Sequence, residues 1–163
     1  MQGYDKVRLS LISNSSIALT DFPFADAYIA PFKYRWTQFH LATAVVTVKP
    51  GVKTFFSVAG QQVGIFVPKE NDGTRGIIVA DPCFTSQWIR CKYQDDWNMF
   101  ERLTSLLNAA SAHDDMHYYH ILGDNFYDRE GQYTDAWFQA LSLDTKSKLH
   151  LSVPGINYPL PTQ

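Results

Sequence analysis

The oxygen donors that could do chemistry gather in one stretch, Tyr118 to Gly131, which reads YYHILGDNFYDREG. Asp124, Tyr127 and Asp128 arrive within five residues, directly after the apolar run Tyr119 to Leu122. That run has the character of a buried strand, and Gly123 lets the backbone turn sharply out of it. A carboxylate placed first after a parallel strand stands at the carboxyl edge, where open α/β sheets hold their ligands. An aspartate helix cap in an acidic surface loop is the alternative. Asn125 and Asp128 could orient substrate or a nearby water, or equally cap the turn.

The elements that must position these groups begin at residue 76. Gly76 to Ala80 is a continuous apolar strand, of the kind buried on both faces of a parallel sheet, and it ends at Asp81-Pro82. Asp95-Asp96 can cap a following helix. Met99, Phe100, Leu103, Leu106, Leu107 and Ala110 then form an apolar face at helical spacing. After the Tyr119–Leu122 strand, a second helix is expected over Thr134 to Leu143, with Trp137, Phe138 and Leu141 inward. A third strand, Leu149 to Val153, closes at Pro154-Gly155. The order β-α-β-α-β predicts neighbouring parallel strands. Asp81, Asp124 and the loop Gly155–Asn157 should therefore open at one sheet edge. Two carboxylates converging there repel unless a cation or a proton lies between them. Hard oxygen ligands suit a divalent or trivalent ion better than a thiolate site does.

Residues 1–75 read as a β-rich N-terminal module, so the fold class is α/β in its second half and α+β overall. Ile17 to Leu19 is a short apolar run, followed by the turn-like Thr20-Asp21-Phe22-Pro23. Strands are expected over Gln38 to Val48, Thr54 to Val58 and Gln62 to Val67, with turns at Lys49-Pro50-Gly51 and around Gly60. The aromatics between Tyr28 and Trp36 could stack on a sugar or a base, although core packing is the ordinary use of such side chains. The polar loop Lys69 to Arg75 is the expected boundary, giving domains 1–75 and 76–163.

With 163 residues, 45% of them hydrophobic and 15% aromatic, the chain can fill a core, which argues against disorder. A net charge of −2 with no basic run argues against a nucleic-acid backbone as partner. No apolar run reaches membrane-spanning length, and the broken apolar N-terminus does not read as a signal peptide. Cys83 and Cys91 could form a local disulfide or stay reduced, and the compartment stays open; two cysteines are too few for a zinc knuckle. His113, His117 and His120 would align on a helix as zinc ligands, yet they run up to a strand start, toward the edge opposite Asp124, and read as surface histidines. His40 and His150 read as packing or surface residues.

The segments GIIVAD, ILGDNFY and SVPGINY resemble the first three motifs of the calcineurin-like metallophosphoesterases, closest to the purple acid phosphatases. The resemblance covers roughly residues 76–158. It implies that Asp81 is the first-metal carboxylate, that Asp124 bridges two metals and that Tyr127 is the phenolate ligand of a ferric ion. Asp81 is followed by Pro82-Cys83-Phe84 where that branch commonly has Trp-Gly, and Cys83 stands where broader phosphoesterases have a histidine. The family's Pro-Gly-Asn-His-Asp reads here Pro154-Gly155-Ile156-Asn157-Tyr158. Asn157 can supply the amide ligand if the loop shifts by one residue, and the adjacent histidine has no counterpart.

The resemblance thus implies one βαβαβ half of a phosphoesterase sandwich, with iron plus zinc, manganese or a second iron, hydrolysing phosphate monoesters by a metal-activated water. Later histidine ligands of the family do not occur in these 163 residues, so a truncated enzyme of poor activity is expected. The rival expectation is a non-catalytic α/β fragment that binds a partner or is inert. A nucleotide-binding α/β domain is disfavoured, because neither strand-to-helix turn carries a Gly-rich phosphate loop. Oligomeric state is open.

Overall fold

A computed structural model describes residues 5–13, 24, 26–34, 37–83, 98–123 and 132–153. The chain divides into two compact units, Met1–Asp72 and Gly73–Gln163.

The first unit is all β among its described residues. Strands β1 (Asp5–Ser13), β2 (Tyr28–Tyr34) and β3 (Thr37–Val48) form an antiparallel sheet in the order β1-β3-β2. Strands β4 (Thr54–Val58) and β5 (Gln61–Ile65) form a hairpin. Alternation along β3 buries Ala42, Ala44, Val46 and Val48, as period-two patterning requires of a half-covered sheet. Val46 and Val48 form a core with Ile65 of β5, against which Val7, Phe24 and Phe56 pack. Pro50 and the left-handed Gly51 sit at the centre of the turn that the Val52 N–H closes on the Lys49 carbonyl at 3.2 Å. This is the arrangement a Pro-Gly pair favours. Ala59 and Gly60 both have positive φ between β4 and β5, which matches the twist of a two-residue hairpin. The fifth strand ends at Ile65 rather than Val67. Tyr28 is 71% exposed, so core packing does not account for that aromatic. The segments Ile17–Leu19 and Thr20–Pro23 lie outside the described residues.

The second unit has the alternation read from the sequence. Strands β6 (Gly76–Ala80), β7 (Tyr118–Leu122) and β8 (Leu149–Val153) form a parallel sheet in the order β6-β7-β8. Helix α1 (Met99–Ser111) joins the first pair of strands, and α2 (Gln132–Ala140) and the short α3 (Leu143–Lys146) join the second. Asn98 caps α1: its side chain accepts the Glu101 N–H at 3.3 Å and donates back to the Glu101 carboxylate at 2.6 Å. The cap expected from Asp95-Asp96 lies outside the described residues, and Asn98 takes that role because it immediately precedes the first helical turn.

Leu103, Leu107, Met116, Tyr119, Ile121, Trp137 and Leu141 form the core of this unit. Three sequence expectations need correction here. Met99 and Leu106 are exposed, and the inward stripe of α1 runs through Leu103, Thr104, Leu107 and Ser111 instead. Thr104 and Ser111 turn inward because their hydroxyls find bonds there, Thr104 to the Phe100 carbonyl and Ser111 to the Met116 sulfur. Phe138 is 40% exposed while Trp137 and Leu141 are buried, and the helix stops at Ala140 before a second cap at Ser142.

The third correction concerns the sheet. Ile77, Val79, Tyr119 and Ile121 face the helical core, whereas Ile78, Leu122, Leu149, Leu151 and Val153 are exposed. The apolar runs are therefore covered on one face and not on both. No helix among the described residues is long and apolar enough to cross a membrane.

Candidate functional site

The parallel register aligns the three strand ends. Ala80 pairs with Leu122, and Leu122 with Val153. The ladder runs one step further, with the Asp81 N–H donating to the Leu122 carbonyl at 3.3 Å and the Gly123 N–H to the Val153 carbonyl at 3.0 Å. Asp81 and Gly123 thus leave the sheet side by side at its carboxyl edge, where α/β folds hold ligands.

Both residues are left-handed, Asp81 at φ 47° and Gly123 at φ 67°. For glycine that geometry carries no steric penalty. For Asp81 it is strained, and such strain persists where surrounding structure enforces it. Three features enforce it here. The Asp81 carbonyl accepts the Cys83 N–H at 2.8 Å, Pro82 between them is buried, and Cys83 is disulfide-bonded. The Asp81 side chain itself is exposed. A carboxylate is thereby held outward at the sheet edge on a short, pinned loop. Replacing Asp81 by Ala is expected to cost about 1 kcal/mol more stability than replacing it by Gly, because only the alanine keeps a Cβ in the left-handed region. Urea midpoints of the two variants give this difference directly.

Of the four expected metal ligands, Asp81 is the one among the described residues. Asp124, Tyr127 and Asn157 lie outside them, as do Asn125, Asp128 and Cys91, the other cysteine of the sequence. As a hard oxygen donor Asp81 suits a divalent or ferric ion. Among the described residues no group of three or more His, Cys, Asp or Glu side chains could hold a metal.

The histidines form no helical cluster. His113 follows α1, His117 precedes β7 and His120 lies within it. His117 Nδ1 accepts the Arg75 backbone N–H at 3.0 Å, and the His117 N–H donates to the Arg75 carbonyl at 2.8 Å. These bonds fasten β6 to β7 at the amino edge, opposite Asp81. Burial first, then the nearby Lys148 charge, lowers the His117 imidazole below its ordinary value. The Arg75–Asp115 ion pair beside it, at 2.9 Å, joins two exposed side chains and adds little stability. His40 and His150 are packing residues with buried ring nitrogens.

Sequence reasoning did not find the part that Pro82 and Cys83 play in shaping the Asp81 loop. A buried Pro directly after an edge Asp was the available signal, but its burial is not readable from residue type. Compared with protein-family models, curated proteins and solved structures, the chain has no match.

Proposed function

We propose that this chain is a metal-dependent phosphoesterase unit of the acid-phosphatase type, acting slowly on phosphate monoesters. The observation that carries the reading is the placement of Asp81: an exposed carboxylate, first after a parallel strand, on a strained and pinned loop beside Gly123. Asp81 and Asp124 would hold the ion, with Tyr127 adding a phenolate and Asn157 an amide. A bound ion would supply positive charge for the phosphoryl oxygens and an activated water. The three parallel strands would form one sheet of a two-sheet sandwich, whose second layer would cover Ile78, Leu122, Leu149, Leu151 and Val153.

The chain's own residues would bind and orient the substrate at this edge. Ile156-Asn157-Tyr158 occupies the place of the family's imidazole. Loss of a positioned acid–base group costs about 10²–10⁴-fold in rate, so turnover should be low. Calorimetry with manganese or zinc is expected to give weak binding of one ion, weakened at least tenfold in Asp81→Asn and Asp124→Asn. Turnover of p-nitrophenyl phosphate with iron, zinc or manganese should be slow and absent from both variants. Equal ion binding by the wild type and both variants would remove the site from consideration.

A non-catalytic α/β binding domain is the second reading, favoured by Ile156-Asn157-Tyr158 standing where the family has its Asn-His pair. Ion binding without any turnover, or neither, is the outcome that selects it.

A further inference from the structure

We propose that His150 is an acid-sensitive latch that holds β8 against β7 and α2. His150 pairs with Tyr119 in the parallel register and lies on the helix-covered face of the sheet. The two rings stack with centroids 4.7 Å apart and planes 14° from parallel. Phe138 of α2 closes over the imidazole at 5.9 Å and 59°. His150 Nε2 is buried within this cluster and has no hydrogen-bond partner among the described residues. One side chain therefore joins a strand edge to a helix through its neutral ring.

A second proton would place a cation there with a donor that finds no acceptor. Among the described residues, the groups facing His150 offer no compensating negative charge. From β7 comes Tyr119, whose phenol burial pushes up to about 12, so it stays neutral; His120, on the opposite face in register with Leu151, can contribute only positive charge. From α2 comes the uncharged Phe138, and the helix's acidic residue, Asp135, is exposed and hydrogen-bonded to Gln139 at 2.6 Å. Within the segment leading into β8, Lys148 is cationic and donates to the His113 carbonyl. Stacking on Tyr119 attracts a cation to some degree. Desolvation of the charge and the orphaned donor oppose it, and such groups neutralise instead. Burial first, and the His120 charge second, accordingly hold the imidazole below its ordinary value.

The sign follows from proton linkage. The unfolded chain, with an ordinary histidine near pH 6.5, binds the proton more tightly than the folded one. The latch is fully closed above that pH and weakens as the pH falls below it, levelling off under the folded value. The consequence reaches the carboxyl edge, because β8 ends at Val153, whose carbonyl receives the Gly123 N–H. Loosened β8 loosens the support of that edge.

The test is urea unfolding of the full chain at pH 7.5 and 5.0, with amide-exchange protection of residues 149–153 measured alongside. The wild type is expected to lose midpoint and at least tenfold of its β8 protection at pH 5.0. His150→Phe, which retains an aromatic ring for stacking, should show less than half of either loss, and His120→Gln should keep most of both. An unchanged wild-type midpoint, or equal losses in His150→Phe, overturns the proposal. Should His150→Phe not fold, NMR titration of the wild-type imidazole decides: an apparent pKa clearly below 6.5 supports the latch and one at or above 6.5 refutes it.

Discussion

Trp137→Ala is expected to lower the unfolding free energy of the second unit by about 3–5 kcal/mol, the range for aromatic truncation in a packed core. Trp137 is 0% exposed and is the largest of the fully buried side chains. It meets the Phe100 ring edge-on at 6.2 Å and 81°, and its core partners include Leu103 and Leu107 of α1 and Tyr119 and Ile121 of β7. An edge-to-face pair adds about 0.5–1.5 kcal/mol beyond burial. Because a domain's whole stability is roughly 5–15 kcal/mol, this one truncation should remove a large share of it. Circular dichroism in urea is the measurement, since the chain's four tryptophans confuse a fluorescence signal. A midpoint unchanged within error would mean that Trp137 is not where the core is concentrated. Phe138→Ala is the internal control; at 40% exposure it should cost well under half as much.

Asn108→Leu is expected to cost about 2–3 kcal/mol, and for a different reason. Asn108 lies in the last turn of α1 and is half-buried. Its amide donates to the Ala140 carbonyl at 3.0 Å, at the end of α2, where carbonyls have no partner within the helix. Its oxygen accepts the Ser142 N–H at 2.7 Å and the Thr145 hydroxyl at 2.9 Å. Thr145 is fully buried and also reaches the Leu107 carbonyl at 3.4 Å, while Ser142 caps α3. One amide thus joins the end of α1, the end of α2 and the start of α3. Leucine fills the space but takes the Asn108 bond from the Ala140 carbonyl and the Ser142 N–H, while the Thr145 hydroxyl keeps the Leu107 carbonyl; each buried group left unpaired costs about 1–3 kcal/mol, reduced where solvent can reach it. Asn108→Asp keeps the acceptor and loses one donor, so it should fall between wild type and leucine. Combining Asn108→Leu with Thr145→Val should cost less than the two single changes added together, because they remove a shared bond. Strict additivity in that cycle would show that the network is not energetically connected.

Several features of this protein were already present in residue order. Continuous apolar runs separated by helix-spaced leucines dictated β-α-β-α-β, and the parallel direction of β6, β7 and β8 follows from the need for crossovers, although their order does not. Leu149–Val153 was readable to the residue, because Lys148 and Pro154 bound a five-residue alternation of apolar and polar side chains that is too short for a helix. Lys49-Pro50-Gly51 specified its turn through proline's fixed φ and glycine's access to the left-handed region. Asp81 at the carboxyl edge was equally legible, since a strand's last apolar residue marks where its loop begins.

Other features depend on what meets what in three dimensions. Ile77 and Ile78 are identical neighbours, yet one faces the core and the other is exposed. Period-two alternation says that their faces differ, not which face a helix will cover. Thr145 is buried against its residue type, because a tertiary partner, Asn108, satisfies its hydroxyl. Nothing local marks Asn108 as the joint of three helix ends, as its partners lie 32 to 37 positions away. The same holds for His150 beneath Phe138 and for Asp81 in a left-handed turn. Spacing along the chain determined which groups arrive at an edge or a face. Burial, ring stacking and backbone strain arose only once distant segments packed, because each is an interaction between surfaces that the sequence lists far apart.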